Sequence, residues 1–185
     1  EDTEERITEF TKEQYKCLDQ LEDNDRLLFQ GPAGTGKTVI ALESAKRSIC
    51  NGKRTLFLCF NKLLGSWISK ELSGYIKEYD FYAGPFHDFL EKIVKNHEEI
   101  KKSSKDLNEY YRINLPLYTI EAIENGNIKK FDKVIIDEGQ DIIRSEYLDV
   151  IDMLLVNGMK KGQWDFYCDF ERQNIYTEDN SSEKM

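Results

Sequence analysis

The chain is poor in the residues that mark several common protein classes. Its four cysteines, Cys17, Cys50, Cys59 and Cys168, stand far apart with no C-x-x-C pair. That excludes a zinc ribbon or a disulfide scaffold and fits reduced thiols in a cytoplasmic protein. Its two histidines, His87 and His97, share no metal-ligand spacing with those cysteines. No apolar run approaches the roughly 20 residues of a membrane-spanning helix, so no membrane partner is expected. No secretory leader pattern opens the sequence. Positive charge is scarce too: 26 Lys and Arg against 35 Asp and Glu leave a net charge of −9, which argues against a strong nucleic-acid binder. The deficit is uneven. Residues 1–26 carry ten acids and four bases, and residues 165–185 carry six acids and two bases, so the middle is near neutral and has room for a local basic track.

What is present suits one α/β domain. The 185 residues are 39% hydrophobic and 33% charged, enough for a real core, and residues 1–185 read as a single, monomeric domain. "RLLFQ" (26–30), "RTLFLCF" (54–60), "DFYAG" (80–84), "KVIIDE" (133–138) and "QWDFYCDF" (163–170) read as strands. Between them lie helical stretches at 38–50, 61–76 and 85–100, a short helix at 117–125, and another at 145–158 stopped by Gly158. A further helix is expected over 9–23, with Thr11 as its cap, Gln14 completing a capping box, and Phe10 and Tyr15 as the staple across it. Residues 98–115 are polar and least patterned, and read as a loop or a small insertion. On the helix over 61–76, Leu63, Leu64, Trp67, Ile68 and Leu72 share one side, so Trp67 is expected in the core. Alternating strands and helices predict a parallel sheet of about five strands flanked by helices.

The first chemical signal is "QGPAGTGKT". Gly31, Pro32, Ala33, Gly34, Thr35, Gly36, Lys37 and Thr38 fit G-x-x-x-x-G-K-[ST] at every required position. Glycines let the backbone turn tightly and bring its amides around phosphates. Lys37 reaches the β- and γ-oxygens and the Thr38 hydroxyl ligates Mg²⁺. An apolar run precedes the loop and an amphipathic helix follows, so the helix start points its amides and dipole at the phosphate. ATP and Mg²⁺ are the expected ligands.

The second signal is "VIIDEGQD" (134–141). A β-branched run makes a buried strand, and two carboxylates stand where it ends. Asp137 is placed to hold Mg²⁺ through its water shell, and Glu138 to orient or deprotonate the attacking water.

Together these blocks resemble the ATP-binding, RecA-like first domain of superfamily 1 helicases of the UvrD/Rep type. "DEGQD" is similar to that family's DEAQD box, with Gly139 in place of Ala. "FTKEQ" resembles the block that reads adenine, which implies Gln14 as the reader. "LFLCFNKLLGSWI" resembles a block that meets single-stranded DNA, which implies Phe60, Asn61 and Lys62. "GPFHDF" resembles a second such block, with Pro85 where Thr is usual, and implies Phe86 and His87. "CDFERQNIY" resembles the GDxxQSIY block: Cys168 replaces its Gly, while Asp169, Gln173 and Tyr176 fall in place. The resemblance implies Gln173 as a catalytic sensor of the γ-phosphate beside Lys37 and Glu138. It also implies a second RecA-like domain in a longer parent chain that supplies arginines to the ATP, so this chain is expected to be the first domain of a larger helicase, nearly inactive alone.

Other readings of single residues stay open. Gln14 also serves as the partner of Thr11, Phe60 and Phe86 also suit a core, and His87 suits ordinary packing. Lys101, Lys102 and Lys105 fit a solvated loop, with contact to a DNA backbone as the other reading. At the level of function the leading reading is the ATPase domain of a DNA helicase or translocase that binds single-stranded DNA weakly. The alternative is a nucleotide-dependent switch or interaction module without translocation, with a small-molecule phosphotransferase third.

Overall fold

Five short strands supply the frame: β1 (Arg26–Gln30), β2 (Thr55–Cys59), β3 (Phe81–Pro85), β4 (Lys133–Ile136) and β5 (Gln163–Cys168). In this computed structural model, which describes residues 16, 18–20, 23–75, 80–126 and 128–169, they form one sheet in the order β1-β5-β4-β2-β3. Every pairing is parallel. The last strand in sequence is therefore threaded between the first and the fourth. That placement sets the end of β5 between the phosphate loop after β1 and the carboxylates after β4. The fold is that of a RecA-like P-loop NTPase.

The strands are apolar runs because both faces of the sheet are covered. Along β2 and β4, Leu56, Leu58, Val134 and Ile136 enter one core, which also holds Phe86, Leu90, Tyr110, Leu115 and Ile151. Their neighbours Phe57, Cys59 and Ile135 enter the other, with Ile40, Ala41, Ala45, Ile49, Ile68 and Leu72. The alternation is the two-residue period of a strand. The second core lies under α1 (Lys37–Cys50) and α2 (Lys62–Glu71). The first lies under α3 (Phe86–Ile93), α4 (His97–Ser103), and, past α5 (Leu107–Glu109), which buries nothing, α6 (Leu115–Glu124) and α7 (Ser145–Leu154); α8 (Gly158–Lys161) is a short turn before β5.

Three expectations are corrected. Residues 98–115 are largely helical: α4 ends at Ser103, and after a bend at 104–106 α5, a π-helical turn at Tyr110–Asn114 and α6 run on without a break. The wide turn spaces the buried residues Tyr110 and Leu115 five apart, which hides the helical period from a reading based on 3.6 residues. Trp67 is 43% exposed and Leu63 84% exposed, because α2 buries only Gly65 and Ile68 and nothing among the described residues covers its outer side. Phe86, expected as a DNA contact, is fully buried against Tyr147 in the core and has no surface to offer a base. The capping residues Thr11, Gln14, Phe10 and Tyr15, and Gln173 and Tyr176, lie outside the described residues. Among the described residues no helix is long and apolar enough to cross a membrane, and Cys50, Cys59 and Cys168 are free thiols.

Candidate functional site

The phosphate loop leaves β1 at Gly31, whose amide donates to the Cys168 carbonyl at the end of β5 (3.2 Å). Gly34 and Gly36 both take the left-handed conformation (φ 83° and 80°), which a side chain would resist. Gly36 caps α1, and its carbonyl accepts from the Val39 and Ile40 amides. Lys37 and Thr38 thus sit on the first turn, whose amides have no carbonyl one turn earlier. Lys37 Nζ donates to the Gly31 carbonyl (2.6 Å) and the Pro32 carbonyl (2.9 Å). A phosphate competes well for that ammonium, since charged oxygens make the stronger hydrogen bonds. Thr35 Oγ1 donates to the Pro32 carbonyl (2.9 Å) and braces the loop from within.

Asp137 follows β4 and is fully buried. Burial pushes its carboxyl above the usual range; the Thr38 hydroxyl and the Glu138 amide pull it back, the Glu138 charge adds to the rise, and Lys37 opposes it. One oxygen, Oδ1, accepts from the Glu138 amide (3.0 Å). The other, Oδ2, is buried without a hydrogen-bond partner. An orphaned carboxylate oxygen near a hydroxyl and an ammonium is a place for a cation. The donors are oxygen only, which suits Mg²⁺. Among the described residues no group of three or more His, Cys, Asp or Glu is gathered for a metal; Thr38 and Asp137 are the side chains here that could hold such an ion together with water and phosphate. The residues present fit that ion.

Glu138 stands in the left-handed region (φ 55°). Such a conformation costs a non-glycine residue about 1–2 kcal/mol. Three interactions hold it: its amide on Asp137, its carbonyl, which accepts from the Asp141 amide (3.1 Å), and its Oε2, which accepts from Gln140 Nε2 (2.6 Å). Gln140 is nearly buried, and its Oε1 accepts from the Asp169 amide just past β5 (2.9 Å). Its side chain therefore spans Glu138 and the start of the loop that follows β5. Beside it, a Cβ on Gly139 would lie 2.7 Å from Cys168 Sγ. The two departures from the helicase boxes touch each other: where that family has Ala and then Gly, this chain has Gly and then Cys. Burial, first of all, pushes the Cys168 thiol up to about 11 and the Cys59 thiol up to about 12, so both stay neutral filler.

The residues expected to meet DNA lie further along the same edge of the sheet, after β2 and β3. Phe60 is 41% exposed. Asn61 caps α2, its Oδ1 accepting from the Leu63 and Leu64 amides (2.8 and 3.1 Å). Lys62 pairs with Asp88 (3.0 Å). His87 is half-buried with its ring against Phe60, Tyr111 and Tyr147. Lys101 is engaged by the Tyr111 hydroxyl (3.2 Å). The link through Gln140, and the gathering of Tyr111, Arg112, Arg144 and Tyr147 around His87, were not legible, because no spacing in the sequence joins them.

A family model described as "Type III restriction enzyme, res subunit" matches residues 2–156, across both the phosphate loop and the DEGQD box. The chain belongs to this family. It is a helicase-like family with a RecA fold. No curated protein matches the chain. Among solved structures, one similar chain is a nuclease-deletion mutant of the Type ISP restriction-modification enzyme LlaGI in complex with a DNA substrate mimic: 17% identity, TM-score 0.43, over 84% of this chain. This chain spans 16% of the length of that one.

Proposed function

We propose that this chain is the ATP-binding domain of a DNA helicase or translocase of the UvrD/Rep type, and that a second RecA-like domain of a longer protein completes its site. One observation carries the reading. Glu138, next to the metal-fitting Asp137, is joined through Gln140 to the backbone where β5 gives way to the block that resembles GDxxQSIY. A site that only binds nucleotide has no need of such a link, whereas a motor must connect its water-activating acid to the parts that feel phosphate and DNA.

In this reading the loop amides from Gly31 to Thr38 and the Lys37 ammonium hold the β- and γ-phosphates. Thr38 and Asp137 hold Mg²⁺, which when bound neutralises charge on the phosphates. Glu138 takes the proton of the attacking water. Gln14 and Gln173 keep the adenine-reading and γ-phosphate-sensing roles the resemblance gives them. Charge stabilisation by arginine comes from the second domain and is typically worth about 10³–10⁵ in rate. The chain alone should therefore bind MgATP and hydrolyse it very slowly, with little stimulation by single-stranded DNA. Calorimetry and phosphate release test this together. MgATP binding abolished by Lys37→Ala, with slow basal release, is the expected result. Equal affinity in Lys37→Ala ends the phosphate-loop assignment, and turnover of several ATP per second by the chain alone ends the split-site reading.

A further inference from the structure

Asp165 breaks the apolar pattern of β5. It is fully buried on the face that α1 covers, with Leu27 of β1 and Ile135 of β4 beside it in register. Its Oδ2 accepts twice: from the Ser44 hydroxyl on α1 (2.5 Å) and from the Lys133 ammonium at the start of β4 (2.8 Å). Its Oδ1 is buried without a hydrogen-bond partner. A cavity of about 70 Å³ lies against Ser44, Ser48 and Lys133, so close packing alone does not fix α1 there. One turn further along α1, the Ser48 hydroxyl shares a hydrogen bond with Thr55 Oγ1 at the start of β2 (2.8 Å). The C-terminal half of α1 is thus tied to the sheet by directional contacts as well as by its apolar side.

Such a network is not the most stable filling for this space. A buried acceptor without a partner costs about 1–3 kcal/mol, and apolar replacement of a whole buried ion pair is often neutral or stabilising. Its members do, however, belong to the three elements that converge on the phosphate site. α1 carries Lys37 and Thr38 on its first turn, about two turns ahead of Ser44. β4 starts at Lys133 and runs directly into Asp137. β5 lies between β1 and β4, and the Cys168 carbonyl at its end accepts from the Gly31 amide. Thr38 and Asp137, the two side chains that fit Mg²⁺, therefore stand on different elements, and a slide of α1 along β4 would pull them apart. We propose that Asp165 is a positioning residue: by holding Ser44 and Lys133 on one oxygen, it fixes how far α1 reaches along β4 and so sets the spacing of Thr38 and Asp137. It acts from a distance, since Ser44 lies about 9 Å along the helix from Thr38. An apolar trio would fill the same space without a preferred position along the helix axis, because hydrophobic contact is non-directional. This rests on the MgATP reading of the site and adds to it a buried group that neither motif contains.

The test compares the full chain with a triple variant, Ser44→Ala, Lys133→Met and Asp165→Leu, which removes the polar groups together, and with Ser44→Ala alone, which cuts only the tie to α1. Urea denaturation reads the fold. Calorimetry reads ATP affinity in excess Mg²⁺ and in EDTA, and the ratio of the two is the gain from Mg²⁺. The triple variant should be at least as stable as the chain, keep its affinity in EDTA, and lose about tenfold of the gain, the scale of a contact that orients a metal ligand from outside. Ser44→Ala should lose part of the gain and keep the affinity in EDTA. Because it adds no volume, it decides the matter even where the larger trio packs badly. A gain unchanged in Ser44→Ala overturns the proposal, as does one unchanged in a folded triple variant. Equal losses with and without Mg²⁺ overturn it too, since the network would then support the whole phosphate loop rather than one spacing. Lys37→Ala separates the two readings. ATP binding that survives Lys37→Ala removes the MgATP reading and this proposal with it, whereas binding lost there, with the gain intact in the other variants, removes this proposal alone.

Discussion

The carboxyl edge of the sheet has two halves built on different principles. At β1, β5 and β4 the working groups are backbone amides, one lysine, one hydroxyl and two carboxylates, set out by two short motifs. At β2 and β3, three and four strands from β1 and so about 14–19 Å away by ordinary strand spacing, rings and cations are brought together from four segments. Phosphate recognition needs the backbone to approach closely, and that constrains adjacent residues. Stacking needs only that large side chains converge, and that constrains the fold without constraining neighbours in sequence. The first half can therefore be broken by one atom, while the second yields gradually.

The largest effect is expected inside the first half, at the link between the ends of β4 and β5. Gln140 donates to Glu138 and accepts from the Asp169 amide, so alanine there releases an acid held in a costly backbone conformation. In the longer protein, Gln140→Ala should lower kcat about a hundredfold with little change in KM for ATP, the size expected for a misplaced catalytic group. Glu138→Gln is the benchmark, with the loss of about 10²–10⁴ typical of a removed general base and with ATP binding intact. Gln140→Glu should not rescue, because a carboxylate cannot donate to Glu138 while accepting from Asp169. Steady-state kinetics decide the matter: an unchanged kcat in Gln140→Ala reduces the bridge to packing.

The same contrast explains what could be read in advance. The phosphate loop, Asp137, Glu138 and the parallel five-stranded sheet were legible because glycine spacing, a β-branched run and alternating strands and helices are local patterns. The insertion was not, because the π turn between Tyr110 and Leu115 shifts the helical phase that a pattern depends on. Trp67 was misplaced because a stripe on α2 says which residues share a side without saying that another element covers it. Phe86 was misplaced because a resemblance between short blocks carries residue types across, but burial is set by Tyr147 and the core of α3 and α7, which no block contains.

A smaller effect should follow from the contact between Gly139 and Cys168. A methyl at Gly139 would sit 2.7 Å from Cys168 Sγ and 3.3 Å from Phe166 Cδ1. Gly139→Ala should therefore cost about 1–3 kcal/mol by overpacking. Cys168→Gly alone removes a fully buried thiol and should also destabilise. Combined, they give the Ala-and-Gly arrangement of the resembled boxes, and the double variant should be more stable than the two single losses imply. Urea denaturation of all four proteins measures the coupling; strict additivity would mean that the two sites do not share that space.

The smallest effect belongs to the second half and turns on His87. Burial, with Lys62 and Arg144 adding to it and Asp88 opposing, pushes its imidazole down to about 4. An unfolded histidine titrates near about 6.5. The folded chain thus holds His87 neutral where the unfolded chain takes up a proton, so its contribution is complete above about pH 6.5 and is lost as the pH falls toward 4. Between pH 7 and 5 this amounts to about 1–2 kcal/mol. Carboxylates titrate nearby, so the quantity to measure is the difference between the chain and His87→Gln, which keeps an amide for the Tyr147 hydroxyl and has no proton to gain. Denaturant midpoints at the two pH values should fall further for the chain than for the variant. Identical pH profiles in the two proteins would show that His87 titrates like a solvent-exposed histidine, and that its ring contacts do not bind Phe60 and Tyr111 together.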